Sequence, residues 1–222
     1  MNLSKSREFF DPVKVTERIH IIGCGSVGSS VAELLARLGI EKFSLYDFDE
    51  VEEKNLANQM FFMSDIGQNK AEAIRDIIWA INRHADIRVN RLGWQPGARL
   101  SGYVFLCVDN IETRKSIVNE NKYNNTIKAM FDIRTRLLDA QHYAADWRNP
   151  DSIKNLLASM DFTHDEAKAD TPTSACGTVL GVAPTVRIIT AEAVCNFVNF
   201  VKTGDLKKMV FTNGFSYMTE AY

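Results

Sequence analysis

Residues 18–28 read Arg-Ile-His-Ile-Ile-Gly-Cys-Gly-Ser-Val-Gly, and the fold is decided there. Arg18 to Ile22 is an apolar run of strand length that ends in a turn with glycine at positions 23, 25 and 28. Beyond the turn Val27, Val31, Leu34, Leu35 and Leu38 recur at helical spacing until Gly39 stops the pattern. Strand, glycine turn and helix form the context in which Gly-x-Gly-x-x-Gly takes phosphate. The glycines allow close backbone approach, and the helix N-terminus presents unpaired N–H groups to an anion. Phe43 to Tyr46 reads as a second strand delivering Asp47, nineteen residues after Gly28, where an acid can bond ribose hydroxyls.

Outward from this unit the alternation continues. Lys70 to Arg83 is amphipathic through Ile74, Ile77, Ile78 and Ile81. Ile87 to Leu92 and Tyr103 to Val108 read as strands, the second ending at Asp109-Asn110. The pattern predicts an α/β, Rossmann-like, doubly wound fold with a mainly parallel sheet. The second half is less regular. Thr126 to Phe131 and Leu138 to Ala145 read as strands, Asp151 to Met160 as a short helix, and the polar stretch Thr163 to Ala175 as a mobile loop. A long helix is predicted from Val182 to Val201, with Pro184 tolerated in its first turn. Met209 to Met218 reads as a hairpin about Asn213-Gly214, a pair suited to the positive φ angles of a type I′ turn. Antiparallel strands and a hairpin are thus expected on the C-terminal side.

At 222 residues, without internal repeats, the chain reads as a single domain. It divides into an arm (1–17), a nucleotide-binding half (18–120) and a second half (121–222). A net charge of −2 speaks against nucleic acid or a membrane surface as partner. No apolar run reaches the length of a membrane span, and the N-terminus lacks a secretory core, so a cytoplasmic protein is expected. Cys24, Cys107, Cys176 and Cys195 form no C-x-x-C pair, which argues against a zinc ribbon or a redox motif.

The glycine turn and Asp47 suit NAD and ATP equally. Asp109 separates them, because a bare carboxylate beside the phosphates would repel a dinucleotide yet serve as a hard oxygen ligand to Mg²⁺ carried by ATP. Lys70, at the start of a helix, is placed to neutralise phosphate charge.

These residues belong to an ordered set: Gly23-Cys-Gly-Ser-Val-Gly28, Asp47-Phe-Asp49, Val51-Glu52, Asn55-Leu56, Gln59, Asp65-Ile-Gly67-Gln68-Asn-Lys70 and Asp109-Asn110. The set resembles ThiF, MoeB and the adenylation domains of ubiquitin-activating enzymes over roughly residues 18 to 120. A looser match follows through Cys176-Gly-Thr-Val-Leu-Gly181-Val-Ala-Pro184. The resemblance implies an ATP- and Mg²⁺-dependent adenylyltransferase acting on the C-terminal carboxylate of a ubiquitin-like or sulfur-carrier protein ending in Gly-Gly. It also implies roles. Gly23, Gly25, Gly28 and Ser26 would surround the nucleotide, Asp47 would hold the ribose with Asp49 beside it, and Asn55, Gln59 and Asn110 would shape the phosphate region. Lys70 would contact phosphates and Asp109 would bind Mg²⁺. Arg7 would reach the neighbouring site of a homodimer, and Cys176 would receive the activated acyl group as a thioester, or sulfur as a persulfide.

Three departures stand out. Position 58 is Asn where the family carries Arg, so one phosphate cation is lost, and Lys70 and another basic residue, with Arg7 as the candidate, must carry more. The paired C-x-x-C zinc sites are absent, so no zinc is expected. The interval from Asp47 to Lys70 is also one residue shorter than in MoeB-like chains. Other readings stay open: adenylation of a peptide or other small carboxylate, a non-catalytic nucleotide-binding scaffold, or an NAD-dependent oxidoreductase. For the last, none of His20, His84, His142 and His164 sits in a hydride-transfer motif.

Overall fold

The computed structural model describes residues 1–169, 171–175, 177 and 179–222. In chain order the elements are β1 (Ile19–Ile22), α1 (Ser26–Arg37), β2 (Lys42–Tyr46), α2 (Lys70–Ile81), β3 (Asp86–Asn90), β4 (Gly102–Leu106), α3 (Ile111–Asn121) and β5 (Ile127–Thr135). There follow β6 (Asp139–Asp146), α4 (Pro150–Ala158), α5 (His164–Ala169), α6 (Ala183–Thr203), β7 (Met209–Asn213) and β8 (Met218–Ala221). The strands form one sheet in the order β3-β2-β1-β4-β5-β6-β7-β8. β1 to β5 pair in parallel, and β5-β6, β6-β7 and β7-β8 pair antiparallel.

Both faces of the parallel half are covered, which is why its strands read as continuous apolar runs. One core holds Ile19, Ile21, Phe43, Phe105 and Phe131 against α1, α2 and α6. The other holds Ile22, Val104, Leu106 and Met130 against α3 and α4. Phe197 of α6 centres the first, with its ring edge-on to Phe10, Tyr103, Phe105 and Phe131. The strand order reverses direction between β1 and β4, and in such sheets ligands bind in the crevice outside the carboxyl ends of the strands. Among the described residues no helix is long and apolar enough to cross a membrane.

The structure corrects the sequence reading in three places. Helix α3 carries no legible apolar stripe, because the inward position 114 is an arginine, buried beside Ile111, Ile117 and Val118. The stretch expected to be a loop from Thr163 holds α5. Thr163 and Glu166 box its start, with Glu166 Oε2 accepting from Thr163 N at 2.7 Å and Thr163 Oγ1 accepting from Glu166 N at 3.2 Å. The C-terminal hairpin forms, but without an Asn-Gly type I′ turn. Asn213 pairs with Met218 across a four-residue loop, the positive φ falls on Tyr217 (55°), and Asn213 Oδ1 accepts from Phe215 N (3.1 Å) and Ser216 N (3.0 Å).

Candidate functional site

Each of the three turn glycines has its own geometric reason. Gly23 has φ +91°, and a Cβ there would stand 2.7 to 2.8 Å from the backbone of Cys107 and Val108. This contact seats the β1 turn directly on the chain leaving β4, one residue before Asp109. A Cβ on Gly28 would lie 1.9 Å from Gly23 O, so only glycine lets the helix start fold over the turn. A Cβ on Gly25 would meet nothing within 4 Å. The first turn of α1, opened by Ser26, has no side-chain cap and no acid. Its N–H groups therefore face the open side of Gly25, an arrangement suited to phosphate.

Asp47 closes β2 and is 8% exposed. Its Oδ2 accepts from Cys24 N at 2.6 Å and its Oδ1 from Asp49 N at 2.9 Å, which fixes the carboxylate beside the glycine turn. Burial raises its pKa above the usual carboxylate value, against the pull of those two N–H groups. Asn69, part of the ordered set but given no role from sequence, ties the second side of the site together. Its amide donates to Asp47 O (3.0 Å) and Asp49 O (3.1 Å), while Oδ1 caps α2 at Ala71 N and Glu72 N. Lys70 then begins α2 as a buried residue, its Nζ 2.9 Å from Asp49 Oδ2.

The remaining predicted residues divide. Asn55 is buried in a short 3₁₀ turn (Glu53–Ala57), where its Oδ1 accepts from Glu52 N at 2.9 Å. Gln59 is half-buried, and its Oε1 has no hydrogen-bond partner among the described residues. Asp109 is exposed and has no ion-pair partner among the described residues, while Asn110 caps α3 by accepting from Thr113 N at 2.8 Å.

Beneath Asp109 lies a buried network. Arg114 donates to Leu106 O (3.1 Å), Ile133 O (3.0 Å), Val108 O and the Asp132 carboxylate, and Arg134 donates to the same carboxylate at 2.9 Å. Burial, aided by Arg134, pulls the Arg114 guanidinium down to about 9, still charged at neutral pH. The network therefore holds the β4 exit rigid from below.

Arg7 is not brought to this site within one chain. The arm packs at the far end of α1, where Leu3 and Pro12 close on Gly39, and Arg7 itself pairs with Asp11 at 3.6 Å. Cys176 lies outside the described residues, although its flanks Thr173 and Val179 form a β-bridge. Among the described residues no group of three or more His, Cys, Asp or Glu side chains stands ready to hold a metal.

Residues 13–132 match the family model described as "ThiF family". The chain belongs to the ThiF family. Ubiquitin-like modifier-activating enzyme 5 from Caenorhabditis briggsae is 34% identical over 116 residues, covering 45% of this chain and 27% of that protein. The same-named protein of Drosophila willistoni is 31% identical over 147 residues, covering 56% and 34%. This ThiF-family chain thus spans between about a quarter and about a third of the length of these curated relatives. Solved structures similar in fold include PaaA (TM-score 0.70, 18% identity) and Escherichia coli MccB with ATP (TM-score 0.69, 18% identity). Each covers 95% of this chain and 65% of the other. These likenesses concern the fold: in this chain β1 to β5 form the parallel part of the sheet, and antiparallel strands extend it at the C-terminal side.

Proposed function

We propose that the chain is an adenylating domain, using ATP to activate the C-terminal carboxylate of a small ubiquitin-like or sulfur-carrier protein. The observation that carries this reading is the juxtaposition at the crevice. An uncapped helix start over an open Gly25 faces the β4 exit, where an exposed, unpaired Asp109 stands one residue beyond the contact with Gly23. The first group suits phosphates and the second suits the metal that phosphates carry. Mg²⁺ is commonly held by one or two carboxylates with substrate phosphates completing its shell, and a lone Asp109 fits that donor set. When bound, the ion supplies charge neutralisation.

The protein's own groups do the rest. Asp47 offers its free lone pairs to ribose hydroxyls. The first-turn N–H groups of α1 hold phosphate oxygens, and Lys70 can exchange Asp49 for phosphate. The substrate carboxylate is ionised at neutral pH and needs no general base. Its oxygen bonds to the α-phosphorus, the bond from that phosphorus to the bridging oxygen breaks, and the electron pair leaves with pyrophosphate. Positioning and charge stabilisation therefore constitute the catalysis. Cys176 is then proposed to take the acyl group as a thioester, its thiolate sulfur bonding to the adenylated carbonyl as AMP departs.

Relatives named ubiquitin-like modifier-activating enzymes favour a protein carrier, while MccB, solved with ATP and with MccA, favours the alternative of a peptide carboxylate. Magnesium-dependent ATP–pyrophosphate exchange tests the reading for both substrate classes. Asp109→Asn is expected to lower exchange by about 10²-fold or more, by analogy with a lost transition-state contact. An unchanged rate in that variant refutes the metal-ligand role. Cys176→Ala is expected to retain exchange while losing the thiol-sensitive conjugate.

A further inference from the structure

The loss of a phosphate cation at Asn58 leaves a charge to be found, and among the described residues one guanidinium near the turn lacks a counter-charge. Arg187 lies in the second turn of α6, half-buried, the sole cation within residues 183–194. Its NH1 donates to Ser30 Oγ at 2.7 Å. Ser30 is fully buried on α1 and 2.9 Å from Thr190 Oγ1, which in turn donates to Val186 O at 2.8 Å. This relay fixes one nitrogen of the guanidinium, and among the described residues no carboxylate pairs with Arg187. Three cations at this end of the sheet are engaged: Lys70 by Asp49, and Arg114 and Arg134 by Asp132.

Position 58 and Arg187 frame the same corner. Asn58 Nδ2 donates to Gly181 O at 3.4 Å, in the segment that leads into α6 six residues before Arg187. Helices α1 and α6 run side by side in the same direction, with Ser30 against Arg187 and Thr190, and Leu34 and Leu38 lining one groove with Val194 and Val198. Arg187 is therefore on the turn side of that interface. Ser30 is one helical turn, about 6 Å along the axis, from Ser26, a distance an arginine spans by changing rotamer. A half-buried cation without a counter-charge is costly, and an anion arriving at the turn removes the cost.

We propose that Arg187 replaces the missing cation of position 58, its guanidinium contacting the β- and γ-phosphates of ATP and the pyrophosphate as it leaves. The proposal rests on the adenylation reading above and adds a residue to it. The test is ATP–pyrophosphate exchange with magnesium, together with ATP KM and melting temperature, on the wild type, Arg187→Ala, Arg187→Gln and the double variant Asn58→Arg/Arg187→Gln. Glutamine keeps a donor for Ser30 and the stem of the side chain while removing the charge. Exchange is expected to fall about 10²-fold in both single variants, as for a lost transition-state contact. Arginine at 58 is expected to recover at least tenfold, roughly one helix-side cation for another. Wild-type exchange in Arg187→Gln, or a loss that follows melting temperature and does not respond to Asn58→Arg, overturns the assignment and leaves the adenylation reading standing. A wild-type protein that binds no ATP in calorimetric titration with magnesium, a readout that needs no carboxylate substrate, removes both.

Discussion

At the residue scale, the three glycines of one turn answer to different demands, and this makes them separable by experiment. Gly28→Ala places a Cβ 1.9 Å from Gly23 O, a backbone atom that cannot step aside. Gly25→Ala meets no protein atom. The expected outcome is a divergence. Gly28→Ala loses stability by roughly 2 kcal/mol or more, the scale of other strained backbone and overpacked sites. Gly25→Ala melts close to the wild type but loses ATP affinity, because its methyl group occupies the space through which phosphate approaches. Calorimetric titration with ATP and thermal melts read the two effects. Equal ATP affinity in Gly25→Ala and the wild type would show that nothing binds over that turn.

At the element scale, α6 anchors both halves of the molecule, and its contact with β6 passes through a buried histidine. His142 is fully buried, stacked on Phe131, with Asn196 Nδ2 2.8 Å from its Nε2. Asn196 Nδ2 also donates to Lys207 O at 2.8 Å, which assigns Nε2 as the acceptor of a neutral ring. Burial depresses its pKa from 6.5 to about 3. The unfolded chain therefore takes up a proton between pH 6.5 and 3 that the folded chain refuses. Stability from this group is complete above about pH 6.5 and lost as pH falls, by up to about 1.4 kcal/mol per pH unit. His20, lowered by burial to about 4, acts in the same direction. Urea unfolding between pH 6.5 and 5 should show this slope, reduced by one proton in His142→Gln. A slope that the substitution leaves untouched would mean His142 is protonated inside the fold.

At the scale of the whole molecule, the arm raises the question of a second subunit. Arg7 sits beside α1's far end, while the glycine turn lies at the near end of a 12-residue helix, about 18 Å away. If Arg7 serves catalysis, it serves a neighbour's site in a homodimer. Arg7→Ala and Asp109→Asn, each inactive alone, are then expected to complement on mixing. Half of the mixed dimers carry one intact site, so activity should recover to about a quarter of the wild type at most. Two pure variants that stay inactive after subunit exchange would exclude a shared site. An Arg7→Ala variant with wild-type activity would remove the residue from catalysis.

What was legible in the sequence is what local chain chemistry dictates. The strand, glycine turn and helix at 18–38, the acid at 47 and the lysine at 70 follow from spacing, because backbone approach, helix period and strand alternation are local rules. The family match over residues 13–132 bears out the family resemblance read from this stretch. Helix α3 was hidden because Arg114 occupies a core position that pattern reading reserves for an apolar side chain, and only Asp132, eighteen residues later, makes that burial tolerable. The hairpin turn was misread because its loop length is fixed by the register of β7 on β6 and β8, which Asn213-Gly214 alone does not dictate. The engagement of Lys70 by Asp49 and the hydrogen bond of Arg187 to Ser30 were likewise decided only by tertiary structure. Whether a charge is paired or waiting depends on what other elements bring to within 4 Å of it, and that distance is set by packing.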